Sequence, residues 1–356
     1  NRGRCARLSL QTGRPRMRRF GPIPQVLRGI RMGGERRGVS GSAVRRMPAR
    51  FHGDLPAFAT LRDQGVWVEP AQQAPRTIPG MGTVRVGIVN LMPLKEPTEL
   101  QLLRMMGRSS VMVDIDLIVP DNYVGKNTAP GYLDKFYKRF SEVENETYDG
   151  FILTGAPIEH LPFEEVGYWN ELTTFFERVK DKREGLLSLC WGAMATLWYY
   201  HRIPKHIVPS KIFGCYKHDN MAPKASMMQG IPLHIGVPVS RHTTWRDEDF
   251  EGKKGVEVLL HSDESGPSCV WDPELCHVHM INHFEYDADT LHGEYLRDLT
   301  KGTPTGEPIH VPHNYYPNDD PARMPPHEWA SAGQVFYSNW LLTLMRNKAR
   351  REGMDL

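Results

Sequence analysis

Paired cysteines are missing: the five cysteines, at 5, 190, 215, 269 and 276, form an odd set with no CxxC pair. This excludes a disulfide-stapled scaffold and points to free thiols in a reducing, cytoplasmic compartment. Long apolar runs are missing as well. The best of them, VMVDIDLIV (111–119), is cut by two aspartates and falls well short of the roughly 18 to 20 residues that span a bilayer, so no membrane association is expected. No internal repeat or low-complexity tract occurs within 47–356, which excludes a repeat array.

Acidic residues are nearly absent from 1–46, where thirteen arginines face one glutamate, Glu35, and no lysine. That segment carries +12 of a chain total of +2, so the remaining 310 residues carry −10. With a single aromatic, Phe20, it offers little for stacking on nucleic-acid bases, and no nucleic-acid partner is expected. It has no apolar h-region, which excludes a secretory signal. The reading favoured is an Arg-rich, disordered extension ahead of a functional start at Met47 in MPARFHGDLPAF, with 47–356 forming one domain.

What is present is an ordinary globular composition, 40% hydrophobic and 24% charged over 356 residues, long enough to bury a large core. Short apolar runs alternate with helical patterns, the signature of a mostly parallel α/β sheet. VRVGIVNL (84–91), VMVDIDLIV (111–119), GFILTG (150–155) and GLLSL (185–189) read as strands. Helices are predicted from Pro97 through TELQLLRMMG, over 163–182, and over WGAMATLWYY (191–200). From 203 to 250 the pattern loosens, with SKIFGCYKHD its most regular piece. GVEVLLHS, SCVWDP and CHVHMINHFE then read as strands, followed by helices in DADTLHGEYLRDLTKG and AGQVFYSNWLLTLMRNKARR.

Cys190 in SLCWGAMA stands where a buried strand turns into a helix. A thiol there projects at the sheet's carboxyl edge, the helix N-terminus favours its thiolate, and nearby backbone N–H groups, including that of Trp191, can receive an oxyanion. Gly192, Ala193 and Ala195 keep the first helical turn slim. On local context alone, packing and reaction both stay open, since most free cysteines are small buried hydrophobes. His283 and Glu285, at i and i+2 on one face of an extended end, supply an orienter–base pair for a Cys-His-Glu set. His277, His279, His283 and Cys276 also suggest a metal; alternation sends Cys276 to the opposite face and no second cluster supplies ligands, so no metal is expected.

These segments, with VGIVNLMPLKEPTELQLLR, YDGFILTGAPIE, VPVSRHTT, INHFEYDADTL and PHNYYPNDDP, resemble the homoserine O-acyltransferases of methionine biosynthesis, the homoserine transsuccinylase family, over nearly all of 47–345. The resemblance implies a class I glutamine-amidotransferase-like, flavodoxin-like three-layer sandwich and a homodimer. It implies Cys190 as acyl-accepting nucleophile, His283 as base and Glu285 as orienter, with Lys211, Ser240 and Arg297 holding substrate. Arg297 has a physical case of its own, because a guanidinium grips an α-carboxylate in bidentate fashion. Lys95 also matches, for oxyanion stabilisation or acyl-CoA binding, although Leu94 stands where many relatives carry a second lysine.

No bound cofactor is expected; acetyl-CoA is the co-substrate. Glu159, in TGAPIEHL, occupies the family's donor-discriminating position, where succinyl-using relatives carry Gly. Two like charges about 4 Å apart at an effective dielectric near 20 repel by roughly 4 kcal/mol, which favours acetyl-CoA over succinyl-CoA. The expected activity is acetyl transfer to L-homoserine. Succinyl transfer, serine as acceptor, and glutamine amidotransfer on the same triad stay open as alternatives.

Overall fold

The computed structural model describes residues 49–71, 82–125, 127–303 and 306–353. The Arg-rich extension called over 1–46 lies outside the described residues. Among the described residues a single twelve-stranded sheet organises the chain. Its strands are β1 (Ala49–Phe51), β2 (Val68–Pro70), β3 (Thr83–Val89), β4 (Met112–Val119), β5 (Tyr137–Arg139) and β6 (Gly150–Leu153). They continue with β7 (Gly185–Leu189), β8 (His206–Asn220), β9 (His234–Thr244), β10 (Glu257–Ser262), β11 (Gly266–Asp272) and β12 (His277–Met280). The helices are α1 (Pro56–Asp63), α2 (Lys95–Gly107), α3 (Tyr132–Phe136), α4 (Phe140–Val143), α5 (Trp169–Asp181), α6 (Trp191–His201), α7 (Thr290–Lys301) and α8 (Ala330–Arg351).

Strand order is β2-β1-β4-β3-β6-β7-β12-β11-β10-β8-β9, with β5 beside β4. From β2 to β12 every neighbouring pair is parallel; from β12 to β9 every pair is antiparallel. The central parallel strands β6 and β7 carry no charged residue and are buried along their whole length, because helices cover both faces. Val84, Val86 and Ile88 of β3 pack into a cluster with α1, α2 and α8. Val89 of β3, with Phe151 and Leu153 of β6, packs into a second cluster with α5 and α6. The expected α/β three-layer arrangement is therefore the observed one. No described helix is long and apolar enough to cross a membrane.

Helix α8 shows why the sequence pattern was readable: Tyr337, Trp340, Leu341 and Leu344 recur at three- and four-residue spacing and are fully buried. Three expectations are corrected. The helix predicted over 163–182 is a 3₁₀ turn at Phe163–Glu165 followed by α5 from Trp169; Gly167 sits at the break, where a helix interior is disfavoured, and Phe163 stacks on Trp169 with ring centroids 5.4 Å apart. The loose stretch 203–250 holds the long β8–β9 hairpin, whose register slips between Ile207 and Ile212, around Pro209. Finally, β12 stops at Met280, so His283 and Glu285 lie in the turn beyond the strand rather than on it.

Register sets where the chemistry falls. Val89 pairs with Leu153, Leu153 with Ser188, and Leu189 with Met280. The segments following β6, β7 and β12 thus leave the sheet side by side at one carboxyl edge, where open α/β sheets place their sites.

On the α6 face of that sheet, His277 and His279 are fully buried. His279 Nδ1 lies 2.9 Å from Ser188 Oγ and 2.7 Å from Thr196 Oγ1. Burial lowers the His277 pKa to about 4 and pushes that of His279 well below its ordinary value. An unfolded histidine binds its proton near 6.5, so below that pH the unfolded state holds more protons and stability falls as pH drops toward 4. His277 alone is expected to withdraw about 1 to 2 kcal/mol at pH 5. The urea unfolding midpoint should fall between pH 7 and pH 5, and fall less in H277L; an equal fall in the variant would contradict this assignment.

Candidate active site

Cys190 joins β7 to α6 with φ 49° and ψ −121°, a left-handed backbone that non-glycine residues rarely adopt. The elbow is pinned from both sides. Its N–H donates to the Met280 carbonyl of β12 at 2.8 Å, and its own carbonyl accepts from Ala193 at 3.0 Å and Met194 at 3.2 Å, opening α6. Glycine makes the tight approach possible. A Cβ on Gly192 would lie 2.6 Å from the Thr154 carbonyl, and one on Gly155 would lie 2.9 Å from Cys190 Cβ and 3.4 Å from Sγ. The same Gly155 position is 3.6 Å from the Trp191 backbone nitrogen, so the space before both thiol and N–H stays open to a reacting carbonyl. The Trp191 side chain itself is buried.

His283 and Glu285 reach this elbow from the turn after β12. The His283 backbone N–H donates to the Pro238 carbonyl at 3.1 Å, and the ring stacks on Tyr286 with centroids 4.0 Å apart. Nδ1 of His283 donates to Glu285 Oε1 at 2.6 Å, and the ring shares its cavity with Cys190. Burial opposes charging the imidazole, yet the charge and hydrogen bond of Glu285, with the influence of Cys190, outweigh it and hold the pKa well above 6.5. Behind the pair, burial and then the Glu285 charge raise the Tyr337 pKa, and neither Tyr337 Oη nor Glu285 Oε2 has a hydrogen-bond partner.

A cavity of about 500 Å³ opens over Cys190 and His283, and Glu159, Lys211, Ser240 and Arg297 all line it. Its far wall is built around Glu294 on α7. Ser240 Oγ donates to Glu294 Oε2 at 2.5 Å, Lys211 Nζ lies 3.3 Å from the same oxygen, and Tyr286 Oη donates to Oε1 at 3.0 Å. Lys211 also pairs with Asp298 at 3.0 Å, and Arg297 Nε donates to Asp298 at 2.9 Å. Glu159 Oε2 accepts the His242 backbone N–H at 2.6 Å, which fixes a carboxylate on the cavity wall. This collection of cations beside carboxylates suits an amino-acid zwitterion.

The sequence brought Cys190, His283, Glu285, Lys211, Ser240, Arg297 and Glu159 to one place. Lys95 is the exception: it lines a separate cavity of about 460 Å³ with Pro97 and Tyr132. Its Nζ donates to the Asn90 carbonyl at 2.5 Å and sits 3.9 Å over the Tyr123 ring, and burial lowers its pKa to about 7 against the pull of Glu99. Among the described residues no cluster of three His, Cys, Asp or Glu side chains is placed to hold a metal. Sequence reasoning missed Glu294, His242 and Tyr286. His242 stands two residues after Ser240 on β9, so strand periodicity would have found it once β9 was recognised.

The model of the homoserine O-succinyltransferase family matches residues 48–350. A homoserine O-acetyltransferase of Cereibacter sphaeroides is 41% identical over 295 residues, covering 83% of this chain and 95% of that one. One from Ruegeria is 40% identical over 312 residues, covering 87% and 98%, and one from Novosphingobium aromaticivorans is 41% identical over 295 residues, covering 83% and 95%. A solved glutamine amidotransferase from Thermotoga maritima superposes with a TM-score of 0.47 at 13% identity, over 74% of this chain and 96% of that one.

If Gly155 clears the reaction space, G155V pushes a branched side chain against Cys190 Cβ and Sγ. Alkylation of Cys190 by iodoacetamide is expected to slow at least about tenfold while the protein stays folded; an unchanged rate in folded G155V would contradict the geometry.

Proposed function

The chain belongs to the homoserine O-succinyltransferase family, and on that premise we propose that it transfers acetyl from acetyl-CoA to the hydroxyl of L-homoserine through a Cys190 thioester. The observation that carries this reading is the positive-φ Cys190 elbow in one cavity with a hydrogen-bonded His283–Glu285 pair and with Glu159. In this reading the enzyme is cytoplasmic and serves methionine biosynthesis.

In this reading His283 holds the proton that Cys190 gives up, and the sulfur attacks as thiolate. The thiolate attacks the acetyl carbonyl of acetyl-CoA, and the Trp191 N–H receives the oxyanion. The carbon–sulfur bond to CoA then breaks, and His283 gives its proton to the departing CoA thiolate. Thioester exchanges for thioester with little change in free energy. In the second half-reaction His283, now neutral, takes the proton from the homoserine hydroxyl as its oxygen attacks the enzyme thioester. The product ester leaves and the thiolate–imidazolium pair is restored.

Lys211, Ser240, Arg297 and Glu294 form the acceptor's binding wall in this account, the guanidinium gripping the α-carboxylate and the acids facing the α-ammonium. Glu159 selects the donor: its fixed carboxylate opposes the distal charge of a succinyl group by roughly 4 kcal/mol at about 4 Å and an effective dielectric near 20. Even a third of that is about tenfold in rate. The neutral acetyl group meets no such opposition.

Initial rates varied in both substrates should give parallel double-reciprocal lines, with homoserine discharging the enzyme faster than serine. E159G should raise kcat/KM for succinyl-CoA relative to acetyl-CoA by at least about tenfold; an unchanged ratio would remove Glu159 from donor selection.

A further inference from the structure

Arg241 lies on β9 between two cavity-lining residues, Ser240 and His242, and is completely buried. A buried charge ordinarily carries a carboxylate partner, because an uncompensated one is strongly unfavourable. This guanidinium meets three neutral acceptors. Nε donates to Asn282 Oδ1 at 3.2 Å, Nη1 to the Thr243 carbonyl at 2.9 Å, and Nη2 to the Ser265 carbonyl at 2.6 Å. Burial lowers its pKa only to about 10, with the charges of Cys190 and Glu159 pulling the other way, so it stays a cation at neutral pH.

The acceptors belong to three separate segments. Thr243 lies on β9 itself, and its hydroxyl donates to Met194 Sδ of α6 at 3.0 Å, one turn beyond the elbow. Ser265 closes the turn between β10 and β11. Asn282 is the residue immediately before His283, and its own amide donates to His218 Nε2 of β8 at 2.9 Å. Burial lowers the His218 pKa to about 4, leaving a neutral ring whose Nδ1 donates to the Tyr216 carbonyl at 2.9 Å. A chain of hydrogen bonds therefore runs from β8 through Asn282, the residue before His283, to Arg241. A hydrophobic residue of similar volume would hold three segments together at lower desolvation penalty, so packing gives no reason for a charge here.

We propose that Arg241 is a positioning residue for acyl transfer: its fork registers the Asn282–His283 loop against the Ser240–His242 strand, and its fixed charge favours the Cys190 thiolate. The inference rests on Cys190 as the acyl carrier. Cys190 shares its cavity with His283, Glu159, Lys211, His242, Glu294 and Arg297, and Arg241, buried between Ser240 and His242, adds a charge that persists across the whole working range of pH.

The test is the pH profile of Cys190 alkylation by iodoacetamide, measured beside kcat and KM in full-length wild type, R241Q, R241K and N282A. R241Q removes the charge, and its profile should shift upward by about one pH unit, so that the rate on the acid limb falls about tenfold. R241K keeps the charge but an ammonium cannot span three acceptors, so its profile should stay within about 0.3 unit while kcat falls at least about tenfold and KM values change less than about threefold. N282A should behave as R241K does. Folded R241Q with the wild-type profile overturns the electrostatic part, and R241K or N282A with wild-type kcat overturns the positioning part; should R241Q fail to fold, the other two variants decide. Alkylation needs no acyl donor, so a shifted profile in an enzyme that transfers no acetyl would strike the proposed reaction and leave Arg241's role standing.

Discussion

One hydrogen bond, from the Cys190 N–H to the Met280 carbonyl at 2.8 Å, ties the elbow of the proposed nucleophile to the strand that leads to its proposed base, His283. Everything catalytic in the account hangs from that contact. It requires β7 and β12 to be parallel neighbours in the register Leu189 to Met280, so that the chain after each leaves the sheet at the same edge. The intervening β8–β11 excursion must then return β12 to this position, and along the way it supplies Lys211, Ser240 and Arg241. The site is thus assembled from residues 90 positions apart by a sheet whose interior is covered on both faces.

The fold accepts unfavourable terms around this point. Cys190 adopts a left-handed backbone, Arg241 is a buried cation without a carboxylate, and His277 and His279 are buried neutral imidazoles under the nucleophile's helix. Each is expensive relative to an apolar or relaxed alternative. Two of them have chemical readings: the strained elbow presents the thiol, and the unpaired guanidinium is proposed to register the loop that carries His283. The strain is tolerated because two large apolar clusters, with Trp191, Trp245, Trp329 and Trp340 fully buried, over-determine the surrounding structure.

Much of this was legible in the sequence. The runs at 84–91, 150–155 and 185–189 became β3, β6 and β7 through their nearly continuous apolar signal, and 111–119 became β4 through alternation of buried apolar residues with Asp114 and Asp116. Cys190 was readable because it lies between such a run and a small-residue helix. What stayed hidden lies where that signal fails. The β8–β9 hairpin is half exposed, interrupted by Pro209 and rich in polar residues, and without β9 the pairing of Ser240 with His242, and the inward turn of Arg241 between them, could not be seen. Glu294 was invisible for another reason: a carboxylate on an amphipathic helix looks solvated until Ser240, Lys211 and Tyr286 are brought to it from elsewhere in the chain. Lys95 shows the converse, a residue carried over by resemblance that the structure places in a neighbouring cavity.

The central claim is that sulfur carries the acyl group, and intact-mass measurement after brief mixing with acetyl-CoA tests it most directly. The account predicts one added acetyl group on the wild-type chain, located at Cys190, discharged by homoserine and absent from C190A. Steady turnover with no acetylated enzyme under conditions that trap the intermediate, or an adduct that persists when homoserine is added, would contradict it.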